Sequence, residues 1–125
     1  MKKVINTKKA PKAIGPYNQA ILSGNTLYCS GQIAINPKNG KLETKNIKSE
    51  MNRIMKNIIE ILDQANMSIK NIVKCTIFMK DMNDYQEINE IYSTYFKTEM
   101  PAREAVEVSR LPKDTNIEIS VIAVK

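Results

Sequence analysis

The chain has 125 residues, of which 42% are hydrophobic and 26% are charged, and its net charge is +6. This length and composition predict a single globular domain over residues 1–125. The amino terminus lacks the apolar segment of a secretory signal, and no apolar run approaches the ~20 residues that span a bilayer. The absence of histidine excludes a cysteine–histidine metal site.

The first half of the chain predicts three strands and one helix. Residues 2–7 are expected to form a short strand, and residues 15–35 two more, joined at the turn residues Ser23-Gly24-Asn25. After a polar loop, apolar residues recur every three or four positions from Ile47 to Ala65, which predicts an amphipathic helix. Asn46 is expected to cap this helix and Asn66 to end it.

The second half predicts a strand, a helix and two final strands. Apolar and polar residues alternate over residues 72–80, as in a strand, and a helix follows whose apolar side runs from Tyr85 to Phe96. Pro101 is expected to stop any continuation of that helix. Residues 102–108 and 117–124 predict the closing strands. The order of these elements indicates an α+β fold with the helices on one face of a sheet.

The last strand predicts an assembly of several subunits. Residues 117–124 are apolar on both faces, which is typical of a strand covered on both sides. The two helices can cover only one face of the sheet, and no other segment remains to cover the second. We therefore expect another copy of the chain to do so.

The lysines and the cysteines have ordinary interpretations. The lysines are scattered along the chain, which favours a solvated surface over a patch that binds nucleic acid or membrane. Cys29 and Cys75 each lie in an apolar strand-like run, which favours buried free thiols over a disulfide and indicates a cytoplasmic protein.

Two charged residues interrupt the closing strands. Arg103 and Ala105 point to the same side of their strand, and Glu118 shares that side if this strand pairs with residues 117–124. One hypothesis is a buried ion pair that fixes the strand register. The other is a site in which Arg103 binds a carboxylate through two parallel hydrogen bonds and Glu118 activates a water as general base.

Three further positions are unusual, although each has a plain explanation. Ser30-Gly31 interrupts a predicted strand, which indicates either a bulge or the close approach of a ligand. Tyr17 is expected to pack in the core or at an interface. Asn89 is a poor helix former in the middle of a predicted helix and is expected to be exposed.

Four segments recur together in one known family. In chain order they are AIGPYNQA, LYCSGQIA, VKCTIFMKDMNDYQEINEIY and PAREAVEVSRLPKDTNIEI. The combination closely resembles the Rid family of YjgF-like proteins, specifically the reactive intermediate deaminase A group. The resemblance implies a chorismate-mutase-like α+β fold, assembled as a homotrimer with a central barrel of sheets and with sites between subunits. It also implies hydrolysis of enamine and imine acids, such as 2-aminoacrylate and 2-iminobutanoate, to 2-oxo acids and ammonia without a metal or organic cofactor.

The resemblance also assigns residues. Arg103 is similar to the arginine that grips the substrate carboxylate, and Glu118 to the residue that positions or activates water. Ala105 stands where many members of the group carry cysteine, and its backbone is expected to serve in the site with either side chain. The remaining matches to the substrate cleft are Tyr17, Ser30, Gly31 and Asn89.

Two other functions stay open on the sequence. The family has also been described as endoribonuclease-like translation inhibitors, and the charge of +6 fits RNA binding, although the chain lacks the histidine that usually serves as acid and base near neutral pH. The other alternative is a non-catalytic module that binds small carboxylates or partner proteins.

Overall fold

A computed structural model describes all residues from 1 to 125 and contains six strands and two α-helices in the predicted order. Together they form one mixed sheet with both helices on one face, which confirms the α+β class. The strands are β1 (Lys2–Ile5), β2 (Ala20–Ser23), β3 (Thr26–Cys29), β4 (Ile72–Met79), β5 (Ala102–Glu107) and β6 (Ile117–Val124). The helices are α1 (Ile47–Gln64) and α2 (Tyr85–Ser93).

The sheet has the order β1-β2-β3-β6-β4-β5, and only the β4–β5 pair is parallel. The two closing strands do not pair with each other, because β4 lies between them, so the condition under which Glu118 would share a side with Arg103 is not met. The chain passes from β4 through α2 to β5, and a crossover helix of this kind joins parallel strands. Since β6 already pairs with β3 on one side and β4 on the other, β5 becomes an edge strand.

The hairpin of β2 and β3 turns as predicted but with shorter strands. Ser23 pairs with Thr26 across a two-residue turn in which Gly24 adopts a left-handed φ of 57°. Residues 15–19 are not in a strand. Between Cys29 and α1 the chain forms only isolated bridges, including one between Gln32 and Ile119. The predicted strands over residues 15–35 were therefore too long at both ends.

The two expected asparagines, Asn46 and Asn66, lie just outside the two ends of helix α1. The Asn46 side chain accepts a hydrogen bond from the Ser49 amide at 2.8 Å, which satisfies one free N–H group of the first turn. Asn66 adopts a left-handed φ of 57° just beyond the helix, and its amide donates to the Asp63 carbonyl.

Helix α2 is shorter than expected and ends at Ser93. The amides of Thr94 and Tyr95 donate to carbonyls three residues back, and the Thr94 hydroxyl donates to the Ile91 carbonyl at 2.6 Å. Side-chain hydroxyls that bond to nearby carbonyls compete with the helical ladder. Tyr95 and Phe96, which we expected on the helix, lie beyond its end.

The core lies between the helices and one face of the sheet. Alternate residues of β4 and β6, such as Ile77 and Ile119, are buried against this side. Cys29 and Cys75 are also buried and unpaired, as predicted, and burial raises the pKa of the Cys29 thiol to about 12. Neither helix is long and apolar enough to cross a membrane.

The other face of the sheet has an apolar row that no element of the chain covers. Its members pair directly across four strands, and Tyr28 in the middle is 50% exposed. The row comprises Val4, Ile21, Tyr28 and Ile122. The two-sided apolar pattern predicted for β6 therefore corresponds to a surface available for association.

A buried carboxylate joins α1 to the start of β6. Glu50 is fully buried, and it accepts hydrogen bonds from the amides of Asn116 and Ile117 at 2.8 and 3.1 Å. The Asn116 side chain donates a third bond to it at 2.7 Å. Glu50 therefore fixes the backbone immediately before Glu118.

Candidate functional site

Arg103 lies on the edge strand β5 and points to the helix side of the sheet, because it pairs with the buried Cys75 of β4. Its guanidinium donates through Nη1 to Oδ1 of Asn89 at 2.8 Å and through Nη2 to the hydroxyl of Tyr85 at 2.8 Å. Its Cζ atom lies 4.8 Å from the centre of the Tyr92 ring. Asn89 is exposed, as predicted, and it also holds this arginine.

The Arg103 guanidinium has no acidic partner. Its two hydrogen-bond acceptors are neutral, and the ion pairs of the chain join Lys74 to Glu104 and Lys80 to Asp114. The hypothesis that Arg103 and Glu118 of one chain form an ion pair that fixes the strand register is therefore wrong. Because the guanidinium has five N–H donors and stays charged, it retains both charge and donors for an anion.

Glu118 lies on the opposite face of the sheet, where it pairs with Phe78 of β4. The side chain is partly buried, and burial raises the pKa of its carboxyl. A methyl group on Gly31 would lie 2.7 Å from Oε2 of Glu118 and 2.8 Å from its Cδ atom. Gly31 thus leaves the space that the Glu118 carboxyl group occupies, so the close approach at this glycine is that of a side chain of the same chain.

A cleft of about 260 Å³ opens beside Glu118. Gly31 and the 51% exposed Tyr17 line it, together with Lys12 and Lys113. Tyr17 is therefore not a core residue. A carboxyl group that can accept or release a proton beside an open cleft is suited to general acid–base chemistry.

Ser30 supports the loop that carries Tyr17. Its hydroxyl donates to the Asn18 carbonyl at 2.6 Å, and its amide donates to the Gln19 carbonyl at 2.9 Å. The buried Gln19 side chain in turn donates to the carbonyls of residues 7, 10 and 11. Ser30 therefore orders one wall of the cleft through the backbone.

The predicted site residues form two groups within one chain. Arg103, Ala105 and Asn89 lie on the helix side, whereas Glu118 and the cleft that it borders lie on the open side. The strands that carry Arg103 and Glu118 are two strand spacings apart, about 9.5 Å. Without a pairing of β5 with β6, Arg103 and Glu118 do not share one face of the sheet, and a single chain does not bring them together.

Two residues that contact Arg103 were missed as site residues. Tyr85 and Tyr92 were assigned only to the apolar side of α2. The spacing of Tyr85, Asn89 and Tyr92 is i, i+4 and i+7, which places them in one stripe of the helix. An asparagine within such an aromatic stripe was the available signal. The chain has no group of three cysteine, aspartate or glutamate side chains that could hold a metal ion.

We expect Gly31→Ala to lower activity without unfolding the protein. The new methyl group would displace the Glu118 carboxyl, and misplacing a catalytic group by about 1 Å can cost about a hundredfold. The measurements are kcat/KM and the thermal unfolding temperature, each compared between Gly31→Ala and wild type. In the Glu118→Gln background the same change should add little, since the displaced group is already inactive. Full activity of Gly31→Ala would contradict this role.

The mixed sheet with two helices on one face, together with its two polar clusters, defines a small α+β protein of the YjgF-like fold. A family model described as Endoribonuclease L-PSP matches residues 7–125. The chain belongs to this family, which is the YjgF/Rid family.

Three relatives illustrate the similarity. The human protein named 2-iminobutanoate/2-iminopropanoate deaminase is 45% identical over 125 residues, covering 100% of this chain and 91% of the human one. The Rid-family protein YyfA of Yersinia pestis is 48% identical with a TM-score of 0.97, covering 100% of both chains. The structure of TdcF from E. coli with bound serine is 38% identical with a TM-score of 0.94, covering 98% of each chain.

Proposed function

We propose that this protein is a cytoplasmic 2-iminobutanoate/2-iminopropanoate deaminase, a hydrolase that acts on C–N bonds. It converts intermediates of the 2-aminoacrylate and 2-iminobutanoate type to 2-oxo acids and ammonia, without a metal or organic cofactor. The observation that carries the proposal is the Arg103 guanidinium, which is held by neutral acceptors and lacks an acidic partner within the chain. These substrates share a carboxylate, which a planar guanidinium binds through two parallel hydrogen bonds.

Two relatives support this choice of ligand. One is named as a deaminase of this kind, and another was crystallised with serine, a small molecule with a carboxylate. The pKa of Glu118, which burial raises, also suits a group that takes up and releases a proton during the reaction.

The proposed enzyme is a homotrimer whose sites lie between subunits. Arg103 of one subunit would meet Glu118 of the next, because the two residues face opposite sides of one sheet. The apolar row through Tyr28 gives the subunits a surface to bury. Tyr17 and Gly31 would complete the site from the Glu118 side, and Ala105 from the Arg103 side.

The reaction proceeds in three steps. Arg103 binds the carboxylate, and the enamine tautomerises to the imine. Glu118 takes a proton from water as the oxygen attacks the imine carbon. Glu118 delivers this proton to the imine nitrogen, which gives a carbinolamine. The hydroxyl proton of the carbinolamine then passes through Glu118 to the nitrogen, the C–N bond breaks, and the products are the 2-oxo acid and ammonia. Positioning and electrostatic stabilisation supply most of the rate gain.

The experiment generates the imine enzymatically. A threonine dehydratase supplies 2-iminobutanoate, and formation of 2-oxobutanoate and ammonia is followed with and without this protein. We expect faster release of both products and no effect of a chelator. Equal rates with and without the protein would contradict the proposed activity.

The charge of +6 and the family description favour RNA binding as the second candidate. Binding to RNA would depend steeply on salt, because lysines that neutralise phosphates release counterions. It would not respond to changes at Arg103, whose guanidinium is held by the neutral side chains of Tyr85 and Asn89. A non-catalytic carboxylate-binding module would need Arg103 but would not respond to changes at Glu118.

A further inference from the structure

Three side chains of α2 converge on one guanidinium. Tyr85 accepts from Nη2, Asn89 accepts from Nη1, and the Tyr92 ring lies under the guanidinium. Because these residues repeat at i, i+4 and i+7, a single helix face fixes both ends and one side of the planar group. We call these three residues the α2 clamp.

We propose that Tyr85 is a positioning residue, whose hydroxyl holds the Arg103 guanidinium in the orientation that binds carboxylate. The inference rests on the proposed function for its ligand. It goes beyond that function because it assigns a role to a residue outside the predicted site.

The chemistry of the acceptor explains why a hydroxyl suits this place. Arginine loses considerable side-chain entropy when it is fixed, so prior fixation strengthens ligand binding. An aspartate or glutamate at residue 85 would also fix Arg103, but its charge would cancel the attraction for an anion. The Tyr85 hydroxyl fixes the nitrogen and leaves the charge in place.

Because of the surroundings of Tyr85, a positioning role can be tested without disturbing the fold. The residue is 39% exposed and lies outside the buried core, so the loss of its hydroxyl leaves no buried polar group. Phenylalanine at this position keeps the ring beside the guanidinium and removes only the hydrogen bond. Tyr95 provides a matched control, because its hydroxyl donates to Asn52 at 2.6 Å and is not in contact with Arg103.

The test compares wild type, Tyr85→Phe and Tyr95→Phe with two readouts. The first is ¹⁵N NMR of Arg103, where hydrogen bonds at both terminal nitrogens slow rotation of the guanidinium groups. The second is calorimetric binding of 2-oxobutanoate, the product of the proposed reaction. We expect faster rotation in Tyr85→Phe and about tenfold weaker binding, which corresponds to one hydrogen bond to a charged group. Tyr95→Phe should match wild type in both.

The two readouts also separate this proposal from the proposed function. Unchanged rotation in Tyr85→Phe, or unchanged affinity despite faster rotation, would overturn the positioning role. Absence of any binding by wild type would overturn it too. If wild type binds 2-oxobutanoate through Tyr85 but does not hydrolyse the imine, the positioning role stands and the deaminase activity is wrong.

Discussion

Replacing Arg103 with alanine should lower imine hydrolysis by about two orders of magnitude or more. The variant loses the group proposed to pair with the substrate carboxylate, and each hydrogen bond to a charged group contributes roughly 1.5–3 kcal/mol. Since about 1.4 kcal/mol corresponds to a tenfold change in rate, two such bonds account for the loss. The measurement is kcat/KM with dehydratase-generated 2-iminobutanoate.

The controls for Arg103 separate function from folding. Arg103→Lys keeps the charge but not the two parallel bonds, so it should recover little activity. Both variants should remain folded with the wild-type oligomeric state, because Arg103 sits on an edge strand and has no ionic partner in the chain. The unfolding temperature of Arg103→Ala should fall slightly, because the contacts of the guanidinium with α2 are lost. A folded Arg103→Ala protein with nearly native activity would show that the site is elsewhere.

Replacing Glu118 with glutamine should abolish most of the activity while leaving the fold intact. Glutamine has a similar shape but cannot take a proton from water, and general acid–base catalysis contributes about 10²–10⁴-fold. Binding of 2-oxobutanoate should change much less, because Arg103 retains the carboxylate contact. Activity within about threefold of wild type would exclude the general-base role and favour a simple binding module.

The pH dependence follows from the same residue. Burial raises the pKa of Glu118, so wild-type activity should fall as the pH drops through a value above the ~4.3 of an unperturbed glutamate. The free energy of unfolding has the opposite pH dependence, because the folded protein favours the neutral form of this carboxyl. The contribution of Glu118 to stability is therefore lost as the pH rises through its raised pKa. At neutral pH, Glu118→Gln should therefore unfold at the same or a higher temperature than wild type.

Mixing the two inactive variants tests whether the site lies between subunits. In random oligomers of Arg103→Ala and Glu118→Gln chains, about one quarter of the interfaces would combine an intact Arg103 with an intact Glu118. Activity should return to about that fraction of wild type after the chains are unfolded and refolded together. No recovery in oligomers shown to be mixed would contradict an intersubunit site.

Much of the fold follows from local sequence patterns. The caps of α1 at Asn46 and Asn66, and the turn at Gly24, depend on side chains and φ angles that neighbouring residues determine. The uncovered apolar face was predictable because β6 is apolar on both faces. The early end of α2 was not predictable from the sequence. It depends on the hydrogen bond from the Thr94 hydroxyl to the Ile91 carbonyl, and the apolar periodicity of the helix does not reveal this bond.

The site was harder to predict because it depends on strand order. The residue types of Arg103 and Glu118 indicated carboxylate binding and proton transfer, but their relation depends on which strand lies beside β5. Periodicity along a strand does not specify its neighbour in the sheet. Glu50 illustrates the same limit, because its acceptors become occupied only when α1 packs against the start of β6.

The placement of Arg103 and Glu118 on opposite faces has a consequence for how activity scales with concentration. In the proposed assembly each protomer would supply two unlike half-sites, so a head-to-tail ring would contain as many complete sites as subunits, whereas an open pair would contain a single one. Dilution that opens the ring would therefore reduce turnover per chain before any chain unfolds. Activity of the proposed enzyme would then require assembly, and a newly made monomer would be inactive.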